Sequence, residues 1–287
     1  MDLTSIDEVR PASETAWRPG DAWLAGGTYL FSEPQPHITR LLDLTALDWP
    51  ALVRRDDHLE IAATCTVARL RELEPDPSWA AFPLVGQCCH AFLASFKIWN
   101  EATVGGNLCN ALPAGPMISL TAALDGVCVL RPAPDRGPER LVPVHEFVTG
   151  AGEKALAPGE VLRAVRVPYR ALRRRTAFRQ VSLTPHGRSG ALLIGTRDPG
   201  DGGFVLTVTA STPRPVRFAF PAVPAAAELD AALSGRLAPD DYFDDMHGDP
   251  RWRRHVTHLL AERIRAELAT GPTTGPGGGP APDGGTL

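Results

Sequence analysis

The sequence is notable first for what it lacks. No stretch of its 287 residues approaches the run of roughly 20 apolar residues that a helix needs to cross a bilayer. The opening Met1–Glu8 is acidic and has no apolar centre, so it does not read as a secretory signal, and a cytoplasmic location is expected. The net charge is −4, with no basic face interleaved with aromatics, which gives no reason to expect nucleic acid. The cysteines are Cys65, Cys88, Cys89, Cys109 and Cys128, an odd set without framework spacing or a Cys-x-x-Cys pair. Reduced thiols fit this pattern; an iron–sulfur cluster or structural zinc held by this chain does not. The Gly-x-Gly-x-x-Gly and Gly-x-x-x-x-Gly-Lys-Ser/Thr spacings are missing, which argues against Rossmann and P-loop folds. There is no Gly-x-Ser-x-Gly elbow and no His-Glu-x-x-His. His255 and His258 have no third ligand and read as solvent-facing, and Asp240, Asp241, Asp244 and Asp245 lack calcium-loop spacing.

What the sequence does have is a concentrated segment, Thr103-Val104-Gly105-Gly106-Asn107-Leu108-Cys109-Asn110-Ala111-Leu112-Pro113-Ala114-Gly115-Pro116. Three glycines and a proline control its backbone, two asparagines offer side-chain amides, and the apolar run Met117–Leu124 follows. Such a stretch suits a loop that brings backbone N–H groups to an anion and then enters a helix, with Pro116 at the first helical position. A shorter element of the same kind, Ala25-Gly26-Gly27-Thr28, lies nearer the N-terminus. Two Gly-Gly loops suggest one large phosphate-bearing ligand held from two sides.

Around these loops the pattern predicts a mixed chain. Asp21–Ala25 reads as a short buried strand, Thr39–Leu44 and Leu59–Ala63 as two more, together a small α/β lobe. Thr66–Glu74 and Trp79–Phe96 read as helices, the second with Phe82, Val85, Cys89, Phe92 and Phe96 on a core-facing stripe. Strands are expected at Val127–Arg131, Arg140–Val144, Val161–Val167 (cleanly alternating, half-buried), Thr176–Leu183, Ala191–Thr196 and Phe204–Ala210. Residues 132–138 read as a turn and Arg173-Arg174-Arg175 as a solvated one. Pro221–Ser234 is expected to be a helix ended by Gly235. Arg251–Ala269 is expected to be a long helix with Val256, Leu259, Leu260, Ile264 and Leu268 on one side. Residues 271–287 have almost nothing to bury and read as a disordered tail. By the rule of about 150 residues per domain, two domains are expected, and a composition change near residue 170 divides them.

Ligand-holding loops without an evident acid, base or nucleophile suit a protein whose cofactor carries the chemistry. At this point the sequence resembles a known family, the FAD-binding (medium) subunits of molybdenum hydroxylases of the xanthine dehydrogenase and carbon monoxide dehydrogenase type. Ala25-Gly26-Gly27-Thr28-Tyr29-Leu30 resembles the first flavin loop of that family. Asn100-Glu101-Ala102-Thr103-Val104-Gly105-Gly106-Asn107, continued by Pro113-Ala114-Gly115, resembles the second. Glu160–Pro168, Phe178–Ser182, Pro213–Arg217 and Asp249–Arg254 extend the likeness over about residues 15–270.

The resemblance implies an α+β chain in which two α/β subdomains, meeting near residue 55, clasp FAD in a PCMH-type fold over residues 1–170. A C-terminal α+β domain over 171–270, three antiparallel strands with helices, would follow. Trp23, Leu24, Ala25, Gly26, Gly27, Thr28, Tyr29 and Leu30 would cradle the pyrophosphate. Thr103, Val104, Gly105, Gly106 and Asn107 would approach it and the flavin from the other side. Leu162, Leu93 and Arg179 fall where the family has two apolar contacts and a basic residue near the flavin. Tyr29 and Pro116 depart from the usual small polar or acidic residue and the usual aspartate, and Pro116 leaves one polar contact unfilled. The implied role is an electron-transfer subunit. It would take electrons from 2Fe–2S clusters on an iron–sulfur subunit, itself served by a molybdopterin subunit, and pass them to NAD or another acceptor, often within a heterotrimer. A stand-alone flavin oxidoreductase and a scaffold that has lost its flavin are the rival readings.

Overall fold

A computed structural model describes residues 5–132 and 137–270. The centre of the expected turn at 132–138 and the expected tail at 271–287 lie outside the described residues. Strands β1 (Glu8–Pro11), β2 (Asp21–Leu24) and β3 (Arg40–Asp43) form a parallel sheet in the order β1-β3-β2. β3 supplies the buried Leu41 and Leu42, whereas β2 is only half-buried, contrary to the buried strand expected there. This lobe is sparer than an α/β unit: only a short 3-10 turn, Leu44–Leu47, follows β3.

The chain then passes to β4 (Leu52–Arg54) and β5 (His58–Ala62), which belong to a second sheet and not to the first lobe. Five helices come next: α1 (Val67–Arg71), α2 (Pro83–Ala91), α3 (Phe96–Glu101), α4 (Val104–Asn110) and α5 (Pro116–Ala123). The single helix expected over Trp79–Phe96 is therefore broken. Leu93 takes a left-handed φ of 46°, which ends the helical run, and Phe96 beyond the break is 72% exposed instead of packed. β6 (Val127–Arg131), β7 (Arg140–Pro143), α6 (Val144–Phe147), the hairpin β8 (Val148–Gly150) and β9 (Glu153–Lys154), and β10 (Val161–Pro168) complete this part.

The second sheet is antiparallel, in the order β4-β5-β10-β6-β7. β10 is its centre rather than a simple half-buried alternating strand. A bulge between Leu162 and Ala164 shifts the register, so Leu162, Val165 and Val167 all join the core under the helices. Arg163 and Arg166 share the other face, where both bond Glu60 of β5, Arg163 through paired contacts of 3.0 and 3.1 Å.

After α7 (Tyr169–Leu172), strands β11 (Arg175–Val181), β12 (Ala191–Arg197), β13 (Phe204–Thr209) and β14 (Val216–Phe220) form an antiparallel sheet in chain order. It has four strands where three were expected; the prolines at 213 and 215 hide β14 in the sequence. Helices α8 (Ala226–Arg236) and α9 (Pro250–Ala269) pack on it. α8 starts only after Pro224 and runs through Gly235, not up to it. Asp249 caps α9 by accepting from the amides of Arg251 and Trp252. Val256, Leu260, Ile264 and Leu268 of α9 are buried, whereas Leu259 is 36% exposed. The arginine run at 173–175 is not a free turn: Arg174 lies 2.7 Å from Asp125, and Arg175 donates to the carbonyl of Thr270.

The C-terminal sheet is joined to the rest through α5, whose every residue is buried. Ser119 of α5 bonds Thr209 at 2.7 Å, and the Ala210 amide donates to the Pro113 carbonyl at 2.8 Å. Arg253 of α9 is 1% exposed and serves the carbonyls of Gly248, Gly190 and Ala210 as well as the Asp245 carboxylate. Removing it leaves three carbonyls and the half-buried Asp245 carboxylate without their donor. Arg253→Met is expected to cost about 3–5 kcal/mol, read from denaturant unfolding. Hydrogen bonding from Arg163 holds the Glu60 carboxyl down at about 2, from an ordinary 4.5. A carboxyl held low in the folded state contributes stability that is fully present above 4.5 and is lost as pH falls toward 2. Between pH 6 and pH 3 the wild type should therefore lose more unfolding free energy than Glu60→Gln does; equal losses would contradict this.

Candidate functional site

A cavity of about 970 Å³ opens where the loop after β2, helix α4, the start of β10 and the hairpin β8–β9 converge, with the C-terminal sheet's loops closing one side. It lies at the upper end of the range of about 300–1,000 Å³ usual for small-molecule sites.

The loop after β2 forms one wall. Residues 25–30 all line the cavity, and none of their backbone N–H groups bonds another described residue. The turn is held instead by its carbonyls, which accept from further along: Phe31 N donates to Gly27 at 2.8 Å and Ser32 N to Tyr29 at 2.9 Å. Gly27 has a φ of 67°, the left-handed conformation that lets successive amides form an anion-binding concavity. Gly26 is required for a different reason. A Cβ there would stand 1.6 Å from the carbonyl oxygen of Glu101, so this loop rests backbone to backbone on the end of α3.

The segment from Thr103 to Pro116 forms the facing wall, but not as the anion-holding loop expected. It is helix α4, and the four amides of its first turn are already used. Val104 N donates to Cys65 O and Gly105 N to Ala63 O, both at 2.9 Å. Gly106 N donates to Thr103 Oγ1 and Asn107 N to Thr103 O, both at 3.0 Å. The chain after β5 offers carbonyls at the right height, and Thr103 acts as N-cap. Gly105 is there because a Cβ would come within 2.4 Å of Ala63. What α4 offers the cavity is the exposed backbone of Gly106 and the side chains of Asn107, Cys109 and Asn110. Asn107 Oδ1 accepts from Met117 N at 3.0 Å, capping α5 across ten residues in place of the side chain that Gly115 lacks. Its Nδ2 donors remain for the cavity. Pro116 starts α5 as expected, buried at the cavity wall.

The other expected residues divide. Trp23 lines the cavity and donates through Nε1 to the Glu160 carbonyl at 2.9 Å, tying β2 to the start of β10. Leu24, Tyr29, Leu93 and Leu162 also line it. Val104 does not; it is fully buried in the core beneath α4. Arg179 does not line it either: on β11 it donates to Phe178 O and pairs with Glu267 of α9. The structure adds Cys109, Lys154, His186, Arg188 and His247, which no spacing in the sequence singled out. Burial pushes the Cys109 thiol up to about 11, so it is neutral and not a nucleophile. Asp21 is the one carboxylate of the wall. Burial pushes it up, but the Arg40 guanidinium at 2.6 Å outweighs this and holds it below its usual range. Among the described residues no three metal-binding side chains cluster, and no helix is long and apolar enough to cross a membrane.

A free-amide cradle on a large cavity suits a dinucleotide. Residues 4–170 match the family described as the FAD binding domain in molybdopterin dehydrogenase. The chain belongs to that family. Caffeine dehydrogenase subunit beta of Pseudomonas sp. (strain CBB1) is 30% identical over 213 residues, 69% of this chain and 70% of that protein. Quinoline 2-oxidoreductase of Pseudomonas putida 86 has a chain of the same fold, with a TM-score of 0.72 at 20% identity, over 94% of this chain and 98% of its own. Reconstituted CO dehydrogenase from Oligotropha carboxidovorans gives 0.74 at 22%, over 94% and 99%. The protein is thus an FAD-binding subunit of the molybdenum hydroxylase type, and the cradle of residues 25–30 fits the pyrophosphate of FAD. Gly26→Ala should drive the first loop off α3. FAD affinity is expected to fall at least about tenfold, a loss of about 1.4 kcal/mol, in a titration followed by flavin fluorescence. Unchanged affinity would show that the backbone seam does not shape the site.

Proposed function

We propose that this chain is the electron-transfer subunit of a molybdenum-containing dehydrogenase. It would receive electrons from 2Fe–2S clusters on an iron–sulfur partner, itself coupled to a molybdopterin subunit, and deliver them to NAD or another acceptor. The observation that carries this reading is the row of amides at residues 25–30, which have no partner among the described residues and lie along a large cavity. Bound FAD supplies the chemistry: it takes up two electrons and releases them as a hydride or singly. The chain's own residues hold and orient. Ala25 to Leu30 take the pyrophosphate through backbone N–H groups. Trp23 and Leu24 brace that loop, and Leu93 and Leu162 give apolar surface to the rings. Gly106 lets the ligand approach the backbone of α4, and the Asn107 Nδ2 group donates to it. Thr103 and Gly105 act one step back, by fixing α4.

The division into FAD-binding residues 1–170, with a subdomain boundary near 55, and a C-terminal domain over 171–270 is part of the same proposal. It is supported by the gap between β3 and β4 and by the separate core under α8 and α9. The substrate would be chosen by the molybdopterin partner; the likeness to caffeine dehydrogenase subunit beta makes an N-heterocycle the first to try. Purified protein should bind FAD non-covalently and show flavin absorbance. Co-expressed with its two partners, it should be reduced by substrate only when the iron–sulfur subunit is present. A flavin reduced by substrate in the isolated chain would favour a stand-alone oxidoreductase instead.

A further inference from the structure

The cradle of residues 25–30 is carried by a lobe that very little joins to the rest of the chain. Residues 5–47 hold the parallel sheet β1-β3-β2, and their buried apolar residues, Ile38, Leu41, Leu42 and Leu44, belong to neither of the two large cores. Every salt bridge that residues 5–47 make stays within the lobe. Among the described residues one hydrogen bond leaves it, from Trp23 Nε1 to the Glu160 carbonyl at 2.9 Å. The Gly26 backbone meets the Glu101 carbonyl nearby, a packing contact with no bond across it. Inside, the lobe is stiff. Arg40 of β3, 8% exposed, donates to both carboxylate oxygens of Asp21 on β2 at 2.8 and 2.6 Å and to the Ala16 carbonyl at 3.0 Å, and it lies 3.6 Å from Glu8 on β1. One cation thus ties three strands. The chain leaves the lobe at Asp48, which is exposed and takes a left-handed φ of 48°; Trp49 and Ala51 beyond it already pack on the core under the second sheet. A stiff body, an exposed joint and a single bond at the far side are the parts of a hinge.

The ligand site lies across this joint. Residues 25–30 are on the lobe, and Asn107 with the rest of α4 is on the body, so a ligand that touches both walls spans the two. We infer that residues 5–47 form a jaw that turns about Asp48 to admit FAD and closes on it, with Trp23 as the latch. The inference rests on the FAD reading above and deepens it by saying how the cofactor enters and is kept. The latch's acceptor is itself fixed. The Glu160 carboxylate pairs with Arg140 and accepts from the Ala157 amide, so its carbonyl keeps its place when the lobe turns away. FAD meets both walls in the closed form and one in the open form, so its binding favours closure. A single hydrogen bond between neutral groups is a small net gain. It leaves the open form populated without FAD and makes the latch visible in the rate at which FAD leaves.

The test places spin labels on the full chain at two exposed positions, Ser32→Cys in the lobe and Phe96→Cys at the start of α3. Cys109→Ser is added because the other native cysteines are buried. Distances between the labels are measured by pulsed electron resonance with and without FAD. Without FAD they should spread to values longer than the closed one, and FAD should collapse them to a single short distance. Trp23→Phe keeps an aromatic ring and removes the Nε1 donor. It should raise the share of long distances and speed FAD release about three- to tenfold in a stopped-flow chase followed by flavin fluorescence. The same narrow distance in both states would overturn the jaw. So would a Trp23→Phe chain whose distances and FAD release match those of the wild type. Wild-type protein that takes up no FAD would instead refute the FAD reading, and its label distances would still report whether the lobe opens.

Discussion

The site depends on a contact with no side chain in it. The Gly26 backbone lies against the carbonyl of Glu101, so closely that even a methyl group would overlap it. That contact sets the first loop against the end of α3, just before the chain turns into α4. Gly105 repeats the device one layer down, letting α4 sit on Ala63 at the end of β5. A cavity whose walls are backbone presents its amides where a polyanion can reach them.

Partition of hydrogen bonds then gives the two Gly-Gly elements different work. The amides of the second are consumed by Thr103, Ala63 and Cys65, so α4 is a wall that faces the cavity with side chains, Asn107 among them. Those of the first are left without partners, the costly state for backbone groups unless water or a ligand satisfies them. The C-terminal part, fixed through the buried α5 and the Ala210–Pro113 bond, adds His186, Arg188 and His247 to the cavity wall.

Much of this was legible in the sequence. Strands such as Ala191–Arg197 and Phe204–Thr209 are short apolar runs bounded by turn residues, and their positions are found to within a residue or two. Residues 23–30 stand out through the family resemblance rather than through Gly-Gly alone, which more often marks a plain turn, and all of them line the cavity. Other features were hidden for physical reasons. The spacing of Phe92 and Phe96 continues a helical stripe across a break that only the left-handed Leu93 reveals. The bulge in β10 shows only as doubled apolar residues, Val161-Leu162 and Ala164-Val165, which break the alternation around Arg163 and Arg166. Arg179 was placed by likeness, and its salt bridge to Glu267, 88 residues away, turns it from the cavity. His186, Arg188 and His247 come together only through the fold, and no local pattern marks them. The Gly-Gly at 105–106 misled in an instructive way: glycine signals close approach, but not whether the approaching group is a ligand or the protein itself.

The central claim, that the amides of residues 25–30 and not those of residues 104–107 hold the pyrophosphate, is tested most directly by amide hydrogen exchange with and without FAD. The account predicts that residues 25–30 exchange rapidly without FAD and become protected with it. Residues 104–107 should be protected equally in both states, since their protein acceptors are already in place. New protection at 104–107 on FAD binding, with 25–30 unchanged, would contradict it.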